Sequence, residues 1–166
     1  MRILIENGDI MMIYTRKQDL PFILEAEQKN SEFVGQWTIK QHKKALNDDD
    51  ILHILIRKID GRNIGYVILK GLASQNKSIE LMRIVITEKN KGYGKIVISL
   101  IKKWCFDIRH AHRLWLDVRE NNVRAQYVYE NQGFKNEGIL RECIKDGNSY
   151  QSLIVMSILS QEYKKV

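Results

Sequence analysis

The sequence predicts an α/β fold in which a mixed sheet of about seven parallel and antiparallel strands is flanked by about four helices. Three observations predict it. The β-rich runs "ILHILIRKI" and "IGYVILKGLA" are joined only by "DGRN", and a glycine beside Asp or Asn tolerates the positive φ of a hairpin turn, which makes that pair antiparallel. Elsewhere strand-like and helix-like runs follow one another without a repeating βαβ order, which argues against a doubly wound parallel sheet. Finally, 166 residues with 44% hydrophobic content, a single proline (Pro21), and no Gly/Ser-rich or Pro-rich segment or solenoid repeat point to one domain spanning 1–166.

The elements follow in order along the chain. "DIMMIYTR" (Asp9 to Arg16) reads as the first strand. "DLPFILEAEQKN" reads as the first helix, with Asp19 at its N-cap and Pro21 in its first turn. Residues 38–47 read as a second helix, and the hairpin comes next. "SIELMRIVIT" (Ser78 to Thr87) is a further strand and runs directly into "TEKNKGYGKIV". From Tyr93 onward Val97, Ile101, Trp104, Cys105 and Ile108 recur at helical spacing, so this loop opens an amphipathic helix with Cys105 as a buried core thiol. A short strand "RLWLDV" follows, then a helix "NNVRAQYVYENQG" closed by Gly133. Two last strands, "FKNEGILRECI" and "SYQSLIVMSIL", turn at "KDGN".

Composition limits the function. The net charge of +7, from 27 Lys+Arg against 20 Asp+Glu, suits a polyanionic partner such as nucleic acid, an anionic membrane surface or a phosphorylated small molecule. The basic residues are spread along the chain, and no helix-turn-helix, RNP or zinc-finger pattern is present. A basic nucleic-acid-binding module would leave the glycine loop unexplained, so nucleic acid is not the expected partner. No apolar run approaches the roughly 18 residues of a membrane span, and "MRILIENGDIMMIY" is broken by Glu6, Asn7 and Asp9. A cytoplasmic protein without a membrane partner is expected. Cys105 and Cys143 form no CxxC pattern and read as reduced thiols; His42, His53, His110 and His112 lack metal-ligand spacing, so no metal is expected.

The glycine loop can be narrowed by elimination. A Walker A loop needs a glycine and a Ser or Thr where Lys89 and Ile96 stand. A Rossmann fingerprint needs a glycine at Val97 and a place after the first strand of a βαβ repeat; Asp117 at a suitable distance does not repair this. What remains is a helix N-terminus with free N–H groups, two glycines that let a ligand approach the backbone, and nearby lysines: a pyrophosphate cradle.

The pattern "V…KNKGYGK" (Val85, then Lys89 to Lys95) resembles the acetyl-CoA pyrophosphate loop of the GNAT N-acetyltransferases, Q/R-x-x-G-x-G/A. The run "VRENNVRAQYVYENQGF" (Val118 to Phe134) resembles their second signature, V-x-x-x-N-x-x-A-x-x-φ-Y-E-x-x-G-F with φ apolar. Both stand in the family's order, separated by one helix and one strand. Lys89 departs from the usual Gln or Arg; its charge suits a phosphate, without bidentate contact.

The resemblance implies acetyl-CoA as cosubstrate. Its pyrophosphate would meet the N–H groups of Lys91, Gly92, Tyr93, Gly94 and Lys95, with Lys89 and Asn90 beside them. Ile84, Val85 and Ile86 would offer backbone groups to the pantetheine arm, one N–H polarising the thioester carbonyl. Tyr129 stands at the family's proton-donor position; Ala125, Val128, Tyr129 and Gln132 form one helical face, which also suits a core tyrosine, while Tyr127 points elsewhere. Asn122 would contact the CoA arm or cap its helix. Glu80 occupies a place where similar enzymes carry a glutamate base acting through water; a solvated Glu is the alternative.

The C-terminal half, with "EG-x-L-R" and "DG-x-x-Y" patterns, is similar to the branch holding spermidine and ribosomal-protein amino-terminal acetyltransferases, although Gln151 replaces an acidic residue often found there. The implied acceptor is a primary amine: a polyamine, another small-molecule amine or a peptide N-terminus. Specificity in this fold comes from the first two helices and their connector, where Glu25, Glu27 and Glu32 are placed to attract such a cation and Phe33 and Trp37 to wall it. An ordinary amphipathic helix explains the same residues. A non-catalytic acetyl-CoA-binding domain is the other reading, and an exposed sheet edge offers a route to a homodimer.

Overall fold

The computed structural model describes residues 2–163. Among them eight strands form one sheet in the order β1-β2-β3-β4-β5-β6-β8-β7, and every neighbouring pair is antiparallel except β5 and β6. The mixed sheet is as the sequence predicts, with one strand more. That strand is β1 (Ile3–Asn7), which turns back onto β2 (Ile10–Tyr14). Glu6 and Asn7, which break the apolar run, are exposed on this edge strand, where polar residues are tolerated and blunt unwanted pairing.

A 3₁₀ turn (Lys17–Asp19) leads into α1 (Leu20–Lys29), and a connector leads to α2 (Ile39–Ala45). The hairpin of β3 (Ile51–Lys58) and β4 (Asn63–Lys70) is followed by β5 (Ser78–Ile86) and α3 (Tyr93–Lys103). Then come β6 (Arg113–Arg119), α4 (Val123–Asn131), β7 (Lys135–Asp146), β8 (Ser149–Leu159) and a short α5 (Ser160–Tyr163). Two local expectations need correction. Asp19 does not cap α1; its carboxylate accepts from the Arg16 N–H at 2.8 Å, because the 3₁₀ turn moves the start of helical structure one turn earlier. Ile108 leaves the apolar stripe and is 51% exposed, because α3 widens into a π turn (Trp104–Ile108) that breaks the 3.6-residue spacing. Cys105 is fully buried as expected, and burial pushes its thiol up to about 12. No helix of the described residues is long and apolar enough to cross a membrane.

The sheet is covered unequally. One face carries α3 and α4, whose Val97, Ile101 and Tyr129 pack with residues from nearly every strand. The other face carries α1, whose Leu20, Ile23 and Ala26 pack on Ile13, Leu55, Tyr66, Ile68 and Val85, and this second core holds no residue of β6, β7 or β8. The outward residues of those strands therefore face away from any helix core. Within β5 the register slips opposite Ile68 and Leu69, so that Met82 is an extra residue, a β-bulge. After it, Ile84 and Ile86 join Ile79 and Leu81 on the α3 side, while Val85 faces α1.

Candidate active site

The position of the site follows from one interrupted pairing. Strands β5 and β6 pair only through Ser78, Ile79 and Glu80 against Arg113, Leu114 and Trp115. Beyond Glu80 the two strands part and leave a gap in the sheet. Residues 84–86 border it: Ile84, Val85 and Ile86 pair with Val67, Tyr66 and Gly65 of β4 on one edge, and the other edge faces the gap. Gly65 is required by close approach, since a Cβ there would lie 2.1 Å from the Val85 carbonyl oxygen.

The glycine loop closes the end of the gap. Thr87 anchors its start, its N–H and hydroxyl both donating to the Ile64 carbonyl at 2.8 and 3.0 Å. Asn90 and Gly92 adopt the left-handed conformation, with φ of 63° and 78°, which turns the chain into α3 without a side chain to cap it. The amides of Tyr93 and Gly94 have no acceptor among the described residues, whereas the Lys95 N–H reaches back to the Gly92 carbonyl at 3.2 Å. A Cβ at Gly92 or Gly94 would meet nothing within 4 Å, so the loop stands open to a ligand. Lys91 is tied to Glu88 at 2.9 Å, and Glu88 also to Arg62 at 2.8 Å; Lys89 and Lys95 have no ion-pair partner among the described residues. Arg124 of α4, a residue missed by sequence reasoning, donates to Asn90 Oδ1 at 2.7 Å and brings a guanidinium to the loop. Free amides at a helix N-terminus with surrounding cations fit a pyrophosphate.

Tyr129 comes from the α3/α4 side. It is 8% exposed and packs edge-on against Phe134 with ring centroids 5.7 Å apart. Its hydroxyl makes no hydrogen bond among the described residues. Burial, and after it the charge of Asp117, holds the phenol above its ordinary pKa, so it stays protonated. Tyr127 is exposed, on the other face as expected. Asn122 caps α4 through Oδ1, which accepts from the Ala125 N–H at 3.2 Å.

Glu80 comes from the opposite face. It sits at the apex of the gap, opposite Trp115 on one side and Lys70 on the other. Desolvation, then the nearby Asp117 charge, raises its pKa, and Lys70 partly opposes this. Asp117 is itself raised by desolvation. Its charge acts on both Glu80 and Tyr129. The signal for it was present in "RLWLDV": Leu114, Leu116 and Val118 point into the α3 core, so strand alternation leaves Trp115 and Asp117 on the open face with Glu80.

The connector between α1 and α2 reaches the same face. Trp37 lies over the Arg83 guanidinium of β5, 4.8 Å from ring centroid to carbon. Phe33 is 38% exposed and Glu32 is exposed. Two other acids expected to attract an amine are otherwise engaged. Glu25 pairs with Lys29 at 2.5 Å, and Glu27 is 1% exposed and held by Arg83, Tyr66 and Trp37. No group of three or more His, Cys, Asp or Glu positioned for a metal occurs among the described residues.

Known proteins resemble this chain in sequence and in fold. A spermidine N(1)-acetyltransferase of Vibrio cholerae is 28% identical over 123 residues, 74% of this chain and 71% of that protein. A putative ribosomal protein bS18-alanine N-acetyltransferase of Bacillus subtilis is 26% identical over 148 residues, 88% of this chain and 93% of that protein. In fold, the crystal structure of the Vibrio cholerae spermidine N-acetyltransferase in complex with CoA and spermine matches with a TM-score of 0.85 at 24% identity, over 95% of this chain and 99% of that one. Residues 17–134, which include both the glycine loop and the helix of Tyr129, match the model of the acetyltransferase (GNAT) family. The chain belongs to the GNAT family of acetyltransferases.

Proposed function

We propose that this acetyltransferase moves the acetyl group of acetyl-CoA to a primary amine of a polyamine, by direct attack within a ternary complex. One observation carries the reading: at the β5/β6 gap, the carboxylates of Glu80 and Asp117 stand on one face of the sheet, and Tyr129, whose hydroxyl has no hydrogen-bond partner among the described residues, packs on the other. A reaction that binds a cation on one side and releases a thiolate on the other needs that separation.

In this reading the loop amides, with Lys89, Asn90, Lys91, Gly92, Tyr93, Gly94 and Lys95, hold the pyrophosphate, and Ile84, Val85 and Ile86 pair with the pantetheine arm. Asn122 orients the helix of Tyr129 through its cap and lies beside the arm. The amine arrives as an ammonium on the open face, attracted by two carboxylates whose closeness raises both the local negative potential and the basicity of Glu80. Glu80 takes a proton through water, and the free amine attacks the thioester carbonyl, whose oxygen is polarised by a β5 N–H. The C–N bond forms, the C–S bond breaks, and the Tyr129 hydroxyl hands its proton to the departing sulfur, whose thiol has a pKa of about 8.5 if it behaves as a simple thiol, while the proton shed by the new amide nitrogen restores the phenol. Glu32, Phe33 and Trp37 form the wall for the rest of the acceptor.

The relative from Bacillus subtilis supports a second acceptor, a peptide N-terminus, for the same site. Thiol release from acetyl-CoA in the presence of spermidine, spermine or an alanine-ended peptide tests both. Saturable turnover with the polyamines supports the proposal; turnover with the peptide alone replaces the substrate class. Calorimetric binding of acetyl-CoA without turnover of any amine would make the chain a binding domain and overturn the reading.

A further inference from the structure

Beneath α1 and α2 lies a set of buried polar groups that the transfer chemistry does not use. Glu27 Oε1 accepts from the Tyr66 hydroxyl at 2.7 Å and from the Arg83 guanidinium, and Oε2 accepts from the Trp37 backbone N–H at 3.0 Å. His42 Nε2 is 3.2 Å from the same carboxylate, close but poorly aligned. His42 Nδ1 lies 3.0 Å from His53 Nε2, and His53 Nδ1 lies 3.0 Å from Thr15 Oγ1.

Proton placement in this chain follows from its acceptor-only end. A carboxylate accepts, so His42 carries its proton on Nε2; its Nδ1 then accepts from His53 Nε2–H, and His53 Nδ1 accepts from the Thr15 hydroxyl. The buried His53 is neutral and Glu27 is ionised. Burial alone would raise the Glu27 pKa, but the His42 ring close beside it, hydrogen bonds from Trp37 and Tyr66, and the charge of Arg83 outweigh it and bring it down to about 2.

The carboxylate thus joins three elements that border the acceptor side of the gap. Arg83 lies three residues beyond Glu80 on β5, about 10 Å along the strand. Trp37 directly precedes Thr38, the N-cap of α2, with its amide on Glu27 and its ring over Arg83. Gly35 also approaches, since a Cβ there would lie 3.4 Å from Arg83 Nη2. We infer that Glu27 is a positioning residue for the amine: it neutralises Arg83 and, through it, fixes Trp37 and the connector beside the Glu80 and Asp117 carboxylates. The inference rests on the amine-acceptor reading above. Without the Glu27 charge, an uncompensated guanidinium would face an arriving cation, and the wall carrying Trp37 would lose its anchor. Among the described residues the glycine loop makes no hydrogen bond or ion pair with any of these groups, and residues 84–86 meet them only through strand pairing and core packing.

The test compares wild type with Glu27→Gln and with the double variant Glu27→Gln, Arg83→Met. The second removes both charges together, because a lone buried guanidinium can prevent folding. With the amine that wild type turns over, both folded variants should show KM for the amine raised at least about tenfold, while KM for acetyl-CoA and kcat stay within about twofold. Amide exchange at Trp37 should accelerate in both. A merely structural role would lower the active fraction and thermal stability without dividing the two KM values. Variants that fold and keep the wild-type amine KM overturn this inference alone. A wild type that turns over no amine overturns the acceptor reading and this inference with it.

Discussion

Acidification offers a quantitative check on the buried proton chain. His53 is 4% exposed, and burial, reinforced by the neighbouring His42, lowers its pKa from 6.5 to about 3. In the unfolded chain the ring recovers the ordinary value of about 6.5, so between these limits the unfolded state binds one more proton than the native state. The sign follows: the stability that neutral burial protects is complete above pH 6.5 and is lost progressively as pH falls towards 3. The slope approaches about 1.4 kcal/mol per pH unit, and between pH 7 and pH 5 the loss integrates to about 2 kcal/mol. Glu27, whose pKa is lowered from 4.5 to about 2, loses its stabilisation only at lower pH, and the raised Glu80 and Asp117 act with the opposite sign, so the imidazole's share is the difference between wild type and a variant without it. Urea unfolding of wild type and His53→Gln at both pH values measures the effect. A Gln side chain can donate to His42 and accept from Thr15 without titrating. Over the window wild type should lose about 2 kcal/mol more than the variant, with an unchanged m-value. Equal losses in the two proteins would mean that native His53 carries a proton, and the order of donors from Thr15 to Glu27 would be wrong.

Three further outcomes are expected. Tyr129→Phe removes a hydroxyl without a hydrogen-bond partner among the described residues, so stability should change by less than about 0.5 kcal/mol while turnover falls by about 10² or more; acetyl-CoA affinity, read by calorimetry, should hold, and intact turnover would end the proton-donor role. Gly65→Ala places a Cβ 2.1 Å from the Val85 carbonyl, so β5 must shift at its gap edge, and KM for acetyl-CoA should rise about tenfold; an unchanged KM would remove residues 84–86 from the pantetheine site. Glu80→Gln and Asp117→Asn divide the acidic pair: with the Glu80 pKa raised by burial and by Asp117, the acid limb of kcat/KM should lie above the ordinary carboxylate range and vanish in Glu80→Gln. In Asp117→Asn that limb should move to lower pH, because the neighbouring negative charge has gone; a limb that vanishes instead would make Asp117 the base.

What the sequence revealed, and what it hid, divides along local and non-local lines. The glycine loop and the Tyr129 helix were legible because each is contiguous: two glycines before a helical stripe, or a tyrosine spaced from Ala125 and Val128, carry their own geometry. The burial of Glu27 lies in the pattern, but the residue reads instead as one placed to attract an amine. It stands seven residues after Leu20 and four after Ile23, in the middle of the stripe that α1 turns to the sheet, although its charge invited a surface role. Its partners were not legible, since Tyr66 and Arg83 are 39 and 56 residues away and come within reach only through strand pairing. β1 was hidden for another reason: an edge strand tolerates the Glu and Asn that disguise it.

The bulge at Met82 explains why no pattern in β5 could have placed Arg83. Simple alternation puts Arg83 on the same face as Ile79 and Leu81, inside the core beneath α3, where a guanidinium would be buried without a partner. The extra residue reverses the alternation after Leu81. Glu80 and Arg83, three apart and formally on opposite faces, thereby share one. The same slip turns Val85 towards α1 and Ile84 and Ile86 towards α3, so a single register shift sets both the strand edge offered to pantetheine and the cation beneath Trp37. In the proposed mechanism the two halves of the site are therefore coupled through the backbone of β5. Deleting Met82 should disturb both together, raising KM for acetyl-CoA and for the amine, whereas Glu27→Gln should raise only the second. Steady-state kinetics of the two variants side by side would separate the strand's role from the carboxylate's, and a Met82 deletion that spared either KM would break the proposed coupling.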